Sequence, residues 1–388
     1  MLHTLAVANY RSLRDMVLPL KSLNVVTGAN GSGKSNLYRG LRLLSETAFG
    51  TAVESIAAEG GVESVLWAGP EQFSRLVKKG HHPVQGGPRK DRINLRFGFV
   101  GDDFGYAIDF GLPTPVPQTM FGKDPEIKRE AIWHGEMWHD RRAVADRRAG
   151  VVRSRDDSGA WQVVAQHLPT FDSMLSSVAD PVRAPEVLML REQIRSWRFY
   201  DHFRTDVASP ARVPQIGART PVLSNDGHDL AAAWRTIMEI GDREALDTAV
   251  ADAFPGAEVD VENPGGRFAL RFSQHGLLRP LSQAELSDGT LRYLLWIAAL
   301  LTPRPPSLMV LNEPETSLHP DLLPPLGRLM KRCAEDTQLW VTTHAPSLIE
   351  ALTADGVCNH LELDKDFGET FVQDLDPLDV PPWRWPTR

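Results

Sequence analysis

The segment Gly28-Ala29-Asn30-Gly31-Ser32-Gly33-Lys34-Ser35 constrains this chain more than any other part of it. It is a complete GxxxxGK[ST] pattern that follows the apolar run 23–27 and precedes leucines at helical spacing. Glycines in this position allow main-chain N–H groups to surround phosphate oxygens at the start of a helix. The pattern therefore predicts a strand, a phosphate-binding loop and a helix, in that order.

The polar residues of this loop have expected roles. Lys34 is expected to reach the β- and γ-phosphates of ATP, and the Ser35 hydroxyl is expected to ligate Mg²⁺. The further nucleotide-binding residues predicted here are Asn30, Gly31, Ser32, Gly33 and Asn36. ATP and Mg²⁺ are therefore the predicted cofactors.

A second element is the run Leu308-Met309-Val310-Leu311-Asn312-Glu313. Its four apolar residues predict a central strand, and its polar residues fall at the carboxyl end, where open α/β sheets bind ligands. Asn312 stands where a Walker B aspartate is usual. An amide oxygen accepts a hydrogen bond from metal-bound water but brings no negative charge. Glu313 is the residue expected to orient or deprotonate an attacking water.

Two shorter elements are ambiguous when read alone. Ser287-Asp288-Gly289-Thr290 precedes an apolar helix predicted over 291–301, and it is compatible with an anion site or with an ordinary N-cap. His344 follows a strand predicted over 339–343, where its side chain would reach a γ-phosphate. A lone histidine is more often structural. For both elements, the reason to expect a functional role is therefore their position in the chain relative to the other motifs.

Composition excludes several classes of protein. The 388 residues are 42% hydrophobic and 24% charged, which is typical of a globular chain. No run of eighteen apolar residues occurs, and we expect no membrane association and a cytoplasmic location. The two cysteines, Cys333 and Cys358, form no CxxC pair. With a net charge of −8, contact with nucleic acid would need a local basic patch.

Local patterns elsewhere predict further elements. Apolar and alternating runs predict strands over 2–8, 17–20, 93–100, 106–110, 131–137, 161–165, 258–262 and 268–273. Helical spacing predicts helices over 186–203, 229–240, 243–254 and 321–334.

Taken in this order, the elements resemble the ATP-binding-cassette (ABC) ATPase heads of the RecF/SMC type. They also resemble the bacterial predicted ATPases of the AAA family and the ATPase part of OLD-family proteins. By this resemblance, 28–35 is the Walker A motif, 287–290 the signature motif and 312–313 Walker B with its catalytic glutamate. Residues 317–320 resemble the D-loop, and His344 resembles the switch histidine. Arg11 lies in an opening strand motif whose basic residue is expected near the nucleotide.

The resemblance implies an α/β fold: a P-loop NTPase, organised as an ABC-ATPase-like head with a mixed central sheet, an antiparallel β subdomain and an inserted lobe. The ATPase domain would comprise 1–100 and 223–388, and the lobe 101–222. The implied activity is Mg²⁺-dependent ATP hydrolysis with Glu313, His344 and Lys34 as catalytic residues and with Ser35 and Asn312 at the metal.

The resemblance also implies partners. Ser287 and Gly289 would contact the γ-phosphate bound by a second copy, giving an ATP-dependent homodimer. The biology implied is DNA maintenance, repair or defence against phage, with DNA as a partner.

Departures from the family pattern leave an alternative open. The signature is LSDGT rather than LSGGQ, Asn312 replaces an aspartate, and Gln72 is the nearest candidate for a Q-loop glutamine. A slowly hydrolysing, nucleotide-gated scaffold that regulates a separate nuclease or effector is therefore the second hypothesis. The residues after His344 are too few for the OLD nuclease domain, and no long coiled coil is predicted. A transporter-coupled ATPase is a third, weaker option.

Two segments have no role in this scheme. Residues 128–155 contain eight basic residues against four acidic ones, which is compatible with DNA contact or with a solvated charged loop. The Pro- and Trp-containing tail 376–388 would either dock a partner or pack as a strap on its own domain.

Overall fold

The computed structural model describes residues 1–70, 93–115 and 117–388. These residues form two compact units. The first comprises 1–20, 28–196 and 362–388, and the second comprises 21–27 and 197–361. Gln72, the Q-loop candidate, lies outside the described residues. The division into an ATPase domain and an inserted lobe at 101–222 stays a prediction.

The first unit contains an eight-stranded antiparallel sheet in the order β2-β1-β4-β5-β6-β7-β8-β9. Strands β1, β2 and β4 to β9 are Leu2–Tyr10, Leu13–Pro19, Leu95–Gly101, Gly105–Gly111, Glu126–Trp133, Ala143–Arg148, Val151–Arg155 and Trp161–Ala165. Helices α1 to α5 are Lys34–Phe49, Ala52–Ala58, Val62–Val65, Met174–Ser177 and Pro185–Ser196. The predicted leucine face of α1 is confirmed, because Leu37, Leu41 and Leu44 are all buried.

The carboxyl-terminal tail packs on this sheet. Trp383 meets the fully buried Trp133 edge-on, with ring centroids 5.8 Å apart. The guanidinium of Arg388 donates two hydrogen bonds of 2.7 Å to the buried Asp109 carboxylate. Of the two interpretations of the tail, the structure therefore supports the strap.

The second unit is built on parallel strands in the order β10-β15-β16-β3. Their bounds are Arg198–Tyr200, Leu308–Asn312, Gln338–Thr342 and Leu23–Gly28. Strand β3 is the one that continues into the glycine loop, and its residues 23–27 belong to this unit. The apolar runs of β15 and β16 are buried, as expected for central strands covered on both faces.

Helices and an antiparallel sheet complete the second unit. Helices α6 to α10 are Leu230–Ile240, Arg243–Ala253, Asp288–Leu300, Leu323–Cys333 and Pro346–Thr353. Strands β11 to β14 are Gln215–Ile216, Ala257–Glu262, Arg267–Gln274 and Leu281–Ser282. The strands predicted over 258–262 and 268–273 are confirmed, and they form a hairpin in which β12 and β13 pair from Ala257↔Gln274 to Glu262↔Ala269. Helix α8 buries ten consecutive residues, Leu291 to Leu300, and is the centre of this unit's core.

The remaining strands form a hairpin at the end of the fold. Strands β17 and β18, Asn359–Asp366 and Glu369–Val372, pair from Leu363↔Val372 to Asp366↔Glu369. Within the described residues, no helix is both long and apolar enough to cross a membrane.

The strand predicted over 17–20 begins earlier, at Leu13, and the bounds of two other predicted elements deviate further. The helix predicted over 186–203 ends at Ser196, because Arg198–Tyr200 pairs in parallel with Met309–Leu311 instead. The strand predicted over 131–137 begins earlier and ends at Trp133, since Gly135 has a φ of 87° and turns the chain. The error in the helix comes from strand pairing, and the error in the strand over 131–137 comes from a turn in the backbone. Neither is visible in the helical spacing or the alternation of apolar residues.

Candidate functional site

The glycine loop of the first unit has the backbone that its sequence requires. Gly28, Gly31 and Gly33 have φ values of 135°, 83° and 116°, which residues with a Cβ rarely adopt. Gly33 is the N-cap of α1, and no side chain caps this end of the helix. The N-terminal end of α1 therefore presents main-chain N–H groups and the positive end of the helix dipole.

The ammonium of Lys34 lies inside this loop. Its Nζ donates hydrogen bonds to Gly28 O at 2.5 Å and to Ala29 O at 3.2 Å, and the residue is only 7% exposed. Among the described residues, no carboxylate pairs with it. A buried cationic side chain with no carboxylate partner among the described residues is costly unless an anion accompanies it, so the loop is prepared for an anion.

A polar network supports the loop from behind. Thr370 Oγ1 donates a 2.7 Å hydrogen bond to Ser32 O and lies 2.7 Å from Ser12 Oγ, which in turn accepts from Asn36 Nδ2 at 2.8 Å. A Cβ on Gly33 would come within 2.2 Å of Thr370 Oγ1. Sequence reasoning missed Ser12 and Thr370, because nothing in a threonine 338 positions from Ser32 indicates the contact.

The loop fits a phosphate group. Ser32 Oγ is buried and has no hydrogen-bond partner in the part of the chain that the structure describes. An orphaned buried hydroxyl is costly unless a ligand satisfies it. The side chain of Ser35 is exposed at the first turn of α1, where its hydroxyl is available to a metal ion.

Arg11 makes an ion pair instead of approaching this loop in the described contacts. Its Nη2 donates a 2.7 Å hydrogen bond to Glu59 Oε2, and its main-chain N–H bonds Val65 O at 2.7 Å. Tyr10 OH donates to the same carboxylate at 3.3 Å, and burial, with the nearby Glu59 charge, raises the pKa of Tyr10 to about 12. The nucleotide-binding role of Arg11 stays a prediction.

In the second unit, strand β15 ends at Asn312, and Glu313 follows directly. Asn312 is half-buried opposite Thr342, whereas Glu313 is exposed and adopts a φ of 50°. The Glu313 main-chain N–H donates to Thr342 O at 2.8 Å, which holds this left-handed turn in place. Such a conformation is uncommon for a residue with a side chain and is concentrated at functional sites.

Glu315 and His344 meet at the ends of neighbouring strands. Glu315 is 8% exposed, and its Oε1 accepts hydrogen bonds from Thr343 Oγ1 at 2.8 Å and from the His344 main-chain N–H at 2.9 Å. His344 Nδ1 lies 3.2 Å from the same oxygen. Sequence reasoning missed this role of Glu315, although its position two residues after Glu313 was a usable signal.

The Ser287 segment is an N-cap in this structure. Ser287 Oγ accepts a 3.1 Å hydrogen bond from the Thr290 main-chain N–H at the start of α8. The Asp288 carboxylate accepts from Arg212 Nη2 at 2.5 Å, and Gly289 is half-buried. Ser287 is exposed, so its role as a cap leaves it accessible to a second partner.

A buried arginine joins this segment to the turn after β15. Arg292 donates hydrogen bonds from Nη1 to Thr316 O at 2.8 Å and from Nη2 to Thr205 Oγ1 at 3.0 Å. Burial lowers the pKa of the Arg292 guanidinium. Helix α8 is therefore linked to Thr316, the residue before the D-loop-like turn 317–320, by a hydrogen bond from a charged donor. Such hydrogen bonds are stronger than those between neutral groups.

A phosphate loop ending in Lys34-Ser35, and a buried strand that ends at Asn312 directly before Glu313, define this chain as a P-loop NTPase. Residues 23–350 match the model of the family described as "AAA domain, putative AbiEii toxin, Type IV TA system". The match covers well over half of the chain, and the protein therefore belongs to this AAA ATPase family. Among curated proteins, none matches.

Solved structures of SMC heads are similar to this chain. One is an SMC head bound to the C-terminal winged-helix domain of ScpA, with 13% identity, coverage of 97% of this chain and 98% of that chain, and a TM-score of 0.49. A second is the SMC head domain from Thermotoga maritima, with 14% identity, coverage of 97% and 99%, and a TM-score of 0.45. A third, from Pyrococcus furiosus, is an Smc head with an extended coiled coil bound to the C-terminal domain of ScpA, with 11% identity, coverage of 96% and 95%, and a TM-score of 0.45.

Proposed function

We propose that this protein binds ATP and hydrolyses it in a Mg²⁺-dependent reaction. The observation that carries the proposal is the buried ammonium of Lys34, which is held by two loop carbonyls and has no carboxylate partner within the described residues. Nucleotide phosphates would supply the missing negative charge. The orphaned Ser32 hydroxyl would supply or accept one further hydrogen bond.

The other residues are given these roles. Ser35 and Asn312 would hold Mg²⁺, which when bound neutralises charge on the phosphate oxygens. Glu313 would accept the proton of the attacking water, since its exposed carboxylate has no partner among the described residues. His344, held by Glu315, would donate a hydrogen bond from its other ring nitrogen to the transferred phosphoryl group.

Nucleotide binding is tested with Lys34→Ala and a matched surface control, Lys123→Ala. Fluorescent ATP titrations with Mg²⁺ should show at least about tenfold weaker binding for Lys34→Ala, because a charge-assisted contact to phosphate is lost. Lys123 is exposed, and its variant should bind within about twofold of the parent. Equal affinities for Lys34→Ala and the parent would refute the proposal.

Hydrolysis is separated from the scaffold hypothesis by Glu313→Gln, with Glu350→Gln as an exposed control. In an ATPase, Glu313→Gln should lower kcat by at least about a hundredfold and leave the ATP affinity unchanged. A scaffold with little turnover in the parent should change in neither property. The scaffold hypothesis is favoured by Asn312, which lacks the usual charge.

We further propose an ATP-dependent homodimer in which Ser287 and Gly289 contact the nucleotide of the second copy. Ser287→Asp keeps the N-cap but places a negative charge against phosphate, whereas Ser287→Asn keeps the cap without the charge. In light scattering with Mg-ATP and the Glu313→Gln background, Ser287→Asp should stay monomeric and Ser287→Asn should dimerise. Dimers of both variants would contradict this contact.

We propose that this cycle takes place in the cytoplasm and serves DNA maintenance, repair or defence against phage. The proposed partner is DNA or a separate effector protein. The family description, with its toxin–antitoxin system, supports a role in defence. Turnover measured with and without double-stranded DNA tests the DNA branch. Stimulation that disappears in Glu313→Gln would support it, and turnover indifferent to DNA would favour the effector protein.

A further inference from the structure

A cavity of about 270 Å³ opens on the strands β6 to β9 of the first unit. Five guanidinium groups line it, those of Arg129, Arg141, Arg148, Arg153 and Arg155. Only two carboxylates, Asp140 and Asp146, accompany them in the lining. The cavity therefore has an excess of positive charge, although the whole chain carries a net charge of −8.

Asp146 is shared among three of these arginines. It is buried, and it accepts hydrogen bonds from Arg129 Nε at 3.0 Å, Arg148 Nε at 3.1 Å and Arg153 Nη2 at 2.9 Å. One carboxylate cannot neutralise three guanidinium groups. Asp140 adds one further negative charge to the lining, so a bound anion or solvent must stabilise the charge that remains.

Arg129 is the innermost of the five. It is 2% exposed, its Nη1 is buried without a hydrogen-bond partner among the described residues, and it lines the cavity. Burial comes first among the causes that lower the pKa of this guanidinium, and the nearby Arg148 lowers it further. An orphaned donor on a buried cation is the feature expected of an anion site.

Two tryptophans hold the arginines in position. The Arg129 guanidinium carbon lies 5.2 Å from the ring centroid of the buried Trp138. Trp161 contacts two arginines, with Arg155 at 4.5 Å and Arg153 at 5.1 Å from its ring centroid. These stacked arginines lose little side-chain entropy on binding a ligand, and planar guanidinium groups match the geometry of phosphate oxygens.

Arg155 and Arg141 complete the site in different ways. Arg155 donates hydrogen bonds to the carbonyls of Ala143 at 2.7 Å and Gly159 at 2.6 Å, so its charge is paired with no carboxylate in the described chain. The side chain of Arg141 is exposed and makes no hydrogen bond or ion pair with any described residue. Arg141 is therefore free to close on a bound anion.

We propose that this arginine cavity binds a phosphate group of a nucleic-acid strand. The proposal deepens the DNA-directed part of the proposed function, and it does not depend on ATP hydrolysis. The shared chemistry is a phosphate held by several guanidinium groups. The bound phosphate could be an internal phosphodiester of the strand or a terminal phosphate monoester. Only binding of the terminal group would need a 5′-phosphate on the strand.

The test compares Arg141→Ala with Arg142→Ala. Both residues are exposed and adjacent, and each variant removes one positive charge, so the two variants have the same net charge. They differ because Arg141 lines the cavity and Arg142 does not. Anisotropy titrations use a labelled single-stranded DNA of about twenty nucleotides, without nucleotide, at two salt concentrations. We expect Arg141→Ala to weaken binding by about tenfold and Arg142→Ala by less than about twofold.

Further arms distinguish the source and the site. Equal binding of 5′-phosphate and 5′-hydroxyl strands identifies a phosphodiester, and preference for the 5′-phosphate identifies a strand end; both support the proposal. Lys34→Ala should bind DNA as tightly as the parent does, because Lys34 does not line the arginine cavity. The DNA-binding proposal can therefore be tested even if the ATPase proposal fails. Equal losses in the two arginine variants, loss in neither, or inorganic phosphate binding without DNA binding would each overturn it.

Discussion

Glu315 accepts the main-chain N–H of His344 at 2.9 Å and lies 3.2 Å from its Nδ1, both through the same oxygen. One carboxylate thus fixes the backbone and the ring of a histidine 29 positions away. The other oxygen, Oε2, is buried without a partner among the described residues. Glu315 therefore fixes the orientation of the His344 ring.

Glu315→Gln should therefore slow ATP turnover without weakening ATP binding. The amide keeps an acceptor for the main-chain N–H but removes the charge opposite the imidazole. We expect kcat to fall about tenfold with KM within about twofold. The effect should be non-additive with His344→Gln, because the first residue acts through the second.

A double-mutant cycle of steady-state kinetics measures this coupling. The thermal midpoint of Glu315→Gln, recorded in parallel, separates slow turnover from loss of fold. Additive losses in the double variant would show that Glu315 has a structural role alone.

Thr370→Val should weaken nucleotide binding by distorting the glycine loop. The valine keeps the shape of the side chain but loses its hydrogen bonds to Ser32 O and Ser12 Oγ. We expect a loss of about 1–2 kcal/mol in ATP affinity, measured by calorimetric titration with Mg²⁺. Thr370→Ser keeps the hydroxyl and is the control; if both variants bind alike, the hydroxyl does not support the loop.

Removing Glu130 should destabilise the protein strongly. Glu130 and Arg147 form a fully buried ion pair at 2.7 Å, and Glu130 also accepts from Tyr106 OH at 2.9 Å and Ser173 Oγ at 2.5 Å. Glu130→Ala leaves the Arg147 charge buried and unpaired, at a cost of about 3–5 kcal/mol in the free energy of unfolding.

Urea denaturation followed by circular dichroism measures this cost. Arg183→Gln, at the more exposed pair with Asp180, is the control and should change stability by less than about 1 kcal/mol. Similar midpoints for the two variants would show that the buried network is not required for folding.

Stability should fall in alkaline solution. Burial raises the pKa of the Cys333 thiol from 9.0 to about 12, so the unfolded chain releases this proton at lower pH than the folded one. The contribution is complete below pH 9 and is lost as pH rises from about 9 to about 12. Burial raises the pKa of Tyr10 in the same direction.

Unfolding free energies at pH 8, 9.5 and 10.5 test this slope, with Cys333→Ala as the variant that lacks the thiol. The slope should be smaller in Cys333→Ala than in the parent. A native thiol assay at pH 8 should also leave Cys333 unmodified until denaturant is added. Rapid modification of Cys333 in the native protein would contradict its burial.

The local elements were predictable where a pattern and its structural requirement coincide. The glycines of 28–33 dictate positive φ values, the apolar residues 308–311 dictate a buried strand, and Asn263-Pro264-Gly265-Gly266 dictates a hairpin. The helix over 186–203 was predicted too long, because residues 198–200 have no local feature that separates a helix from a parallel strand.

The phosphate loop, the strand that precedes Glu313 and the class of protein could all be predicted from short stretches of sequence, because each depends on contiguous residues whose backbone preferences act locally. Three contacts could not be predicted in this way: Thr370 supports the loop, Glu315 holds His344, and Asp146 accepts hydrogen bonds from three arginines. These contacts join residues on separate strands or loops. Their partners are chosen by strand order and register, which arise from the packing of the whole chain and not from any one segment.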